Sequence, residues 1–367
     1  MHFPAVSSCL LMSLAVALFP GCPPLGGPGD PQIEITNAPA WGSSGLLQGR
    51  VLHVNPCDYA VAVYIYVEEA GGWWTKPTFV DPLTSINNSG EWAADVVTGG
   101  TDETAQKIAA FLVPKKTDAY LLGGVPAIPG AVFASAVAHT GVWRTQQTTE
   151  RLLFFSGLEW RVKRAATPVG PGPNLFADGL DNVWLDRAGR LHLKITNGST
   201  GPRCAEIISL DSFGYGTYTF YLDSAVDAFD PNVVLGLFTW SDDAAYNHRE
   251  IDVEFARWGD PLNDNAQFVV QPYDREGNMT RFEIGPDAPT AHGFTWRRTY
   301  VEFSSVTGAD FPPPAQANEI ASWHYTGPDV PANGGENARI NFWLMNGAAP
   351  ANGQPAEVVI RRFAFQP

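Results

Sequence analysis

The sequence predicts an all-β protein, a small sandwich followed by a larger one. Composition is the first observation behind this: only 17% of the 367 residues are charged, against 36 Gly, 30 Pro and 12 Trp. Short strands separated by Gly/Pro turns produce that profile. The second is a succession of short apolar or alternating runs that end at turn signals such as Asn55-Pro56 and Gly170-Pro-Gly-Pro-Asn174. The third is a period-two run of acids, Glu250-Ile-Asp-Val-Glu254, which reads as a strand with one acidic and one apolar face. A hydrophobic content of 45% is enough for a sizeable core. The length fits two or three domains, or one large β domain plus a small one.

Residues 1–21 read as an export signal. Cys9-Leu-Leu-Met-Ser-Leu-Ala-Val-Ala-Leu-Phe19 is apolar but too short to span a bilayer. Gly21 directly before Cys22 resembles a bacterial lipoprotein cleavage site, which makes Cys22 the expected lipid attachment point. Two features depart from that pattern: no Lys or Arg precedes the apolar run, and Phe19-Pro20 is unusual ahead of Gly-Cys. Simple secretion and a misread start are the alternatives. Residues 22–31, rich in Pro and Gly, are expected to act as a tether. No other segment is apolar enough to cross a bilayer, so any membrane attachment is expected only through the Cys22 lipid. The expected location is the cell surface, as an outer-membrane or other lipoprotein, or the medium, as a secreted protein. Cys57 and Cys204 are then left, one in each half of the chain. They read as a bridge between domains or as two separate buried thiols, and spacing does not decide between these. No Cys/His spacing resembles a zinc site.

Residues 32–147 are expected to form the small, immunoglobulin-like sandwich, an accessory or carbohydrate-binding unit. Its strand-like runs include Gln32–Thr36, Leu47–Val54, Ala60–Val67 and Lys107–Val113. Trp73 and Trp74, beside a Gly-Gly turn, read either as sugar-binding rings or as packing residues. The polar stretch Gln146–Glu150 marks the boundary, and residues 151–367 the large domain. There Val183–Leu185 and Leu191–Ile195 read as a hairpin whose Leu191, Leu193 and Ile195 share one face. Val233–Trp240 runs almost continuously apolar, as a strand buried on both faces would. It delivers Trp240 toward the acidic face. Asn265–Gln271 is the next strand after the acids, with Gln267, Val269 and Gln271 on one face.

Three same-face acids with no Lys or Arg between them oppose one another. The chemistry that wants such a row is glycoside hydrolysis, with one carboxylate as nucleophile or base and one carboxylic acid to protonate the leaving oxygen. A charged neighbour helps to push their pKa values apart. Cα atoms four residues apart on a flat strand lie roughly 13 Å apart, whereas a retaining pair needs carboxyl groups about 5–5.5 Å apart. Two long Glu arms leaning inward on a twisted strand would close that gap, and the shorter Asp sits between them. The structural alternative is a solvated acidic strand on a sandwich surface.

Glu250-Ile-Asp-Val-Glu254-Phe255 closely resembles the active-site strand of glycoside hydrolase family 16. Phe238-Thr-Trp240 upstream and Arg257-Trp258-Gly259 downstream add to the resemblance, which covers roughly residues 152–367. It implies a concanavalin A-like β-jelly roll and a retaining mechanism, with Glu250 as nucleophile, Glu254 as acid/base and Asp252 tuning both. It also makes Asn174, Trp240 and Trp343 cleft candidates. Tyr246 and Trp258 are bulky residues crowding the site, and Gln271 is a plausible sugar contact. Glu206, on the stretch Cys204–Ile208, reads as structural. The motif lacks the extra residue of some laminarin-cleaving members. In this it is similar to mixed-linkage glucanases and xyloglucan-type enzymes, and a β-glucan is the expected substrate. The family includes a structural calcium, but no ligand set for one is apparent, and no other cofactor is expected.

A formal net charge of -15 argues against a nucleic-acid partner, and more weakly against anionic polysaccharides. A monomer acting on a polysaccharide is expected. Two other classes stay open: a transglycosylase using the same residues, and a carbohydrate-binding surface protein without turnover.

Overall fold

The computed structural model describes residues 25–308 and 318–367. The export signal, the start of the tether and Cys22 lie outside the described residues. No helix among the described residues is long and apolar enough to cross a membrane.

The first unit contains β1 (Gln32–Asn37), β2 (Leu46–Leu52), β3 (Tyr59–Val67), β4 (Gly72–Lys76), β5 (Leu83–Ser85), β6 (Glu91–Asp95), β7 (Lys107–Pro114), β8 (Gly123–Val125) and β9 (Ala138–Arg144), with the short helix α1 (Gly130–Ser135) before β9. The sheet β1–β2–β6 lies over the layer that holds β3, β7 and β9. Ile33, Leu47, Val51 and Trp92 meet Val61, Val63, Ile65 and Ile108 between the layers. The other face of β3 and β7 is covered too, Tyr64 and Phe111 packing with Trp73 and Phe154. Burial on both faces explains why the Ala60–Val67 run is continuously apolar. The Trp73-Trp74 pair is packing: Trp73 is 1% exposed, and Trp74 lies so close over Gly124 that an added Cβ would stand 3.0 Å from it.

Next come β10 (Thr149–Phe155), β11 (Leu158–Val162), β12 (Ala165–Val169), β13 (Asn174–Phe176), β14 (Val183–Leu185), β15 (Leu191–Gly198), β16 (Gly201–Ser212), β17 (Gly216–Leu222), β18 (Val233–Trp240), β19 (Ile251–Phe255) and β20 (Ala266–Val270). They are followed by β21 (Met279–Phe282), β22 (Thr290–Arg297), β23 (Tyr300–Thr307), β24 (Glu319–Tyr325), β25 (Asn337–Leu344) and β26 (Ala356–Gln366). A front sheet runs β11-β16-β25-β18-β19-β20-β21. A back sheet runs β14-β15-β26-β17-β22-β23-β24. Both are antiparallel, and the chain crosses between them from β11 to β14 and at β15–β16, β16–β17, β17–β18, β21–β22, β24–β25 and β25–β26. This is a β-jelly-roll sandwich. Leu193, Ile207, Leu235, Val253, Phe268, Phe294 and Phe342 fill the space between the sheets.

The polar stretch at Gln146–Glu150 is a hairpin turn. Thr149 pairs with Arg144 across it, and Thr145 N–H donates to the Thr148 carbonyl at 2.8 Å. The chain thus passes from the first unit to the second without leaving the sheet, because β10 pairs with β9 on one side and β11 on the other. The cysteines differ from both expectations. Cys204 is a free, buried thiol and Cys57 is exposed and disulfide-bonded, so no bridge joins these two and they are not a pair of buried thiols.

Candidate active site

The acidic run Glu250–Glu254 is not strand throughout. The strand begins at Ile251, and Glu250 stands at its mouth. Ile251, Val253 and Phe255 are fully buried in the core, so Asp252 and its flanking glutamates face the other side. The residues before Glu250 follow a left-handed path. Tyr246, Asn247, His248 and Arg249 have φ of 53°, 50°, 62° and 53°. Each such non-glycine residue costs about 1–2 kcal/mol, so the turn must be held from outside. The Ser241 backbone N–H donates to the His248 carbonyl at 2.7 Å, and the Thr239 hydroxyl donates to the Arg249 carbonyl at 2.8 Å. The Arg249 guanidinium reaches Asp243 at 3.3 Å. The turn carries Glu250 into the cleft.

Strand pairing decides what surrounds the acids. Phe238 lies opposite Asp252 and Gly236 opposite Glu254 on β18. Beyond them, β25 sets Arg339 opposite Phe238 and Asn341 opposite Gly236, and β16 sets Glu206 opposite Asn341. Gly236 has a clear purpose, since a Cβ there would lie 2.4 Å from Asn341 Oδ1. The missing side chain lets Asn341 lean over the sheet beside Glu254. These residues, with Lys163, Pro171, Trp240 and Trp343, enclose a cleft of about 280 Å³.

Burial dominates the electrostatics. It pushes Glu254 up to about 7 and Glu250 up to about 8, the latter also repelled by Glu254, and raises Asp252 well above the usual carboxylate range. The three titrate as a set. Asp252 hydrogen-bonds to Glu250, which stabilises charge on Glu250, and Arg339 acts in the same sense. Protonating Glu254 would remove the repulsion on Glu250. The Asp252 and Arg339 contributions only partly offset burial and repulsion, and Glu250 is raised further than Glu254.

Gln267 orients Glu254. Its Nε2 donates to Glu254 Oε2 at 2.7 Å, while its Oε1 accepts from Trp258 Nε1 at 3.1 Å and from Arg281 at 2.9 Å. Trp258 thus stands behind the cleft, edge-on to Trp343 at 6.1 Å. Trp343 and Trp240 line the cleft itself. Gln271 turns its amide to Asp252 at 3.2 Å and accepts from the Tyr273 N–H, so both of its ends are engaged within the protein. Asn174 is buried and lies outside the cleft lining. Its Nδ2 donates to the Pro171 and Leu344 carbonyls at 2.8 Å each, so it braces the loop whose Pro171 edges the cleft. Tyr246 is 56% exposed on the left-handed turn, with the Arg249 guanidinium 5.4 Å from its ring, and does not line the cleft either.

Five neighbours escape a motif-centred reading: Lys163, Glu206, Gln267, Arg339 and Asn341. Glu206, read as structural, is 1% exposed and lines the cleft, bound to Lys163 at 2.7 Å. Arg339-Ile-Asn-Phe-Trp343 alternates polar and apolar residues, and that period of two was the available signal for Arg339 and Asn341. Choosing Gln267 over Gln271 as the partner of Glu254 needs the register of β19 on β20. Among the described residues, no group of three or more His, Cys, Asp or Glu is arranged to hold a metal ion.

No protein-family model matches the sequence, and no curated protein matches it. Solved structures with some likeness include a Bacillus licheniformis β-glucanase at 17% identity, covering 59% of this chain and 94% of the other with a TM-score of 0.43. A β-1,3-1,4-glucanase (lichenase) from a mouse hindgut metagenome aligns at 20% identity over 57% of this chain and 92% of its own, with a TM-score of 0.42. An immunostimulatory antigen and pseudo β-1,3-glucanase of Mycobacterium tuberculosis aligns at 21% identity over 56% of this chain and 91% of its own, also at 0.42.

Proposed function

We propose that this protein is a retaining endo-glycoside hydrolase acting on a β-linked polysaccharide, a β-glucan in the first instance. The observation that carries the reading is the row Glu250, Asp252, Glu254 at the mouth and along β19, turned into a cleft and buried enough to hold protons near neutral pH. A surface strand of solvated acids would not be buried in this way, nor share its face with an unpaired amide and two tryptophans.

The proposed reaction is a double displacement. Glu250 attacks the anomeric carbon as the glycosidic C–O bond breaks. Glu254 gives its proton to the departing oxygen, and a glycosyl ester forms on Glu250. Glu254, now charged, takes a proton from water, whose oxygen bonds to the anomeric carbon while the ester bond breaks. Asp252 keeps a proton on the Glu250 side and releases that hydrogen bond as the ester forms. Gln267 holds Glu254 in place in both of its states. Trp240 and Trp343 offer apolar walls, and Asn341 Oδ1, buried without a partner, offers an acceptor for a sugar hydroxyl. The formal net charge of -15 favours a neutral glycan over a sulfated or uronic one. Export belongs to the same reading, since polymeric substrate is met outside the cell.

The test is reducing-end release from a panel of β-glucans, xyloglucan and galactans. Wild type is run beside Glu250→Ala and Glu254→Ala, with azide added to Glu250→Ala. Cleavage by wild type alone, and a glycosyl azide of inverted anomeric configuration from Glu250→Ala, would support the whole scheme. Product lengthening that needs an added acceptor would point to a transglycosylase. Binding without cleavage would replace the proposal by a carbohydrate-binding surface protein.

A further inference from the structure

Arg339 is a buried cation that the acid row alone does not call for. It starts two strands away from the acids, opposite Phe238 on β25. Its side chain is 10% exposed and leans along the sheet toward Trp240, with the guanidinium 5.7 Å from that ring. Trp240 is fixed in turn by His248, which stacks on it at 4.1 Å with a tilt of 8°. His248 belongs to the left-handed turn that delivers Glu250, so the stack ties Arg339 to the placement of Glu250. The guanidinium contacts Asp242 at 3.2 Å and Glu206 at 3.6 Å, and its Nε has no partner. Asp242 is 80% exposed, so water rather than Arg339 carries much of its solvation.

The other charges around Glu250 are accounted for. Its own strand brings Asp252 and Glu254, and β20 brings the neutral Gln271. The loop before the strand brings Asp242, Asp243, His248 and Arg249. Arg249 is turned to Asp243 and the Ala245 carbonyl. From the far side, β16 brings Glu206, whose partner Lys163 is held by Glu206 and the Gly170 carbonyl. Among the described residues Lys163 and Arg339 are the cations lining the same cleft as Glu250, and Arg339 is the one packed against Trp240.

We propose that Arg339 is a positioning residue for the nucleophile: clamped against Trp240 between Glu206 and Asp242, it directs positive potential at Glu250, favours the charged form of that carboxyl and holds it facing the cleft. The consequence for turnover rests on the hydrolase reading, but the electrostatic part does not. A favourable Arg339 contribution to the charged form of Glu250 agrees with this.

Two readouts separate the two ideas. Infrared difference titration of wild type against Glu250→Gln isolates the Glu250 carboxylate band without any substrate. In Arg339→Gln the midpoint of that band should rise by about one pH unit. In Arg339→Lys it should stay near wild type, and in Asp242→Asn it should fall, because a competing negative charge has gone. The acidic limb of the kcat/KM profile on a soluble β-glucan should move in the same directions. An unchanged midpoint in a folded Arg339→Gln overturns the proposal, whether or not wild type cleaves glycans. If Arg339→Gln does not fold, Arg339→Met, which keeps the stem packed on Trp240 without the charge, decides, and an unchanged midpoint overturns the proposal. Shifted midpoints with no glycan cleaved by wild type would support the role of Arg339 and refute the hydrolase.

Discussion

Replacing Glu254 by glutamine should make the protein more stable at pH 8 while removing its activity. An ordinary glutamate titrates near 4.5, and burial pushes Glu254 up to about 7. Between those values the folded state holds a proton that the unfolded chain has released. Stability falls with rising pH wherever the folded state binds more protons. The cost is absent well below pH 4.5, where both states are protonated, and complete above pH 7, where both are ionised. The gap between those values, at about 1.4 kcal/mol per pH unit, sets an upper bound of about 3 kcal/mol. Glu254 is only half-buried and shares protons with its neighbours, so about 2 kcal/mol is the working figure. Glutamine keeps the shape and can still accept from Gln267 Nε2, now at 2.7 Å from Glu254. A domain of this size moves its Tm by about 2–4 °C per kcal/mol, so the variant should melt about 4–8 °C above wild type at pH 8. Roughly a quarter of that gain should remain at pH 5. Calorimetry on both proteins at the two pH values reads the effect. An equal gap at both pH values, or a lower Tm for the variant at pH 8, would refute the account of a buried, proton-holding acid.

Other perturbations test neighbouring parts of the site. Gln267→Leu removes the donor that favours charged Glu254, so the basic limb of the rate profile should move up, by less than about one pH unit, with a reduced kcat. Gly236→Ala should fold but push Asn341 aside, lowering kcat/KM about tenfold on the same glucan. Asp252→Asn should raise Tm at pH 8 for the reason given for Glu254, and it should slow turnover by loss of the shared proton. In the left-handed turn, Asn247→Val should be about 1–2 kcal/mol less stable than Asn247→Gly by denaturant titration, since β-branched residues tolerate positive φ worst.

What could be read directly from the chain follows from the period of a strand. Alternate residues point to opposite faces, so Glu250, Asp252 and Glu254 had to share a side if that stretch was extended, and Ile251 and Val253 had to take the core. The same rule made Leu191, Leu193 and Ile195 one face and Val233–Trp240 a doubly buried strand. Composition alone was enough for an all-β chain with frequent turns. None of this depends on which strand lies beside which.

The tertiary structure decided what depends on strand pairing and on backbone conformation at single residues. Whether Gln267 or Gln271 holds Glu254 is a question of register, because a shift of four residues would bring Gln271 opposite Glu254 without altering the pattern. Arg339 and Glu206 lie far from the acids in sequence and reach the cleft only because β25 and β16 stack beside β18. Asn174 had the right residue type, yet hydrogen bonds to two backbone carbonyls hold it below the cleft. The polar stretch at Gln146–Glu150 has the composition of a linker, and only the pairing of β9 with β10 makes it a hairpin within one sheet. The left-handed turn before Glu250 leaves no glycine as a clue, since its conformation is imposed by hydrogen bonds from Thr239 and Ser241. Side-chain periodicity is local and is therefore legible in the sequence, whereas register, burial and charge at the site are properties of neighbours that only folding brings together.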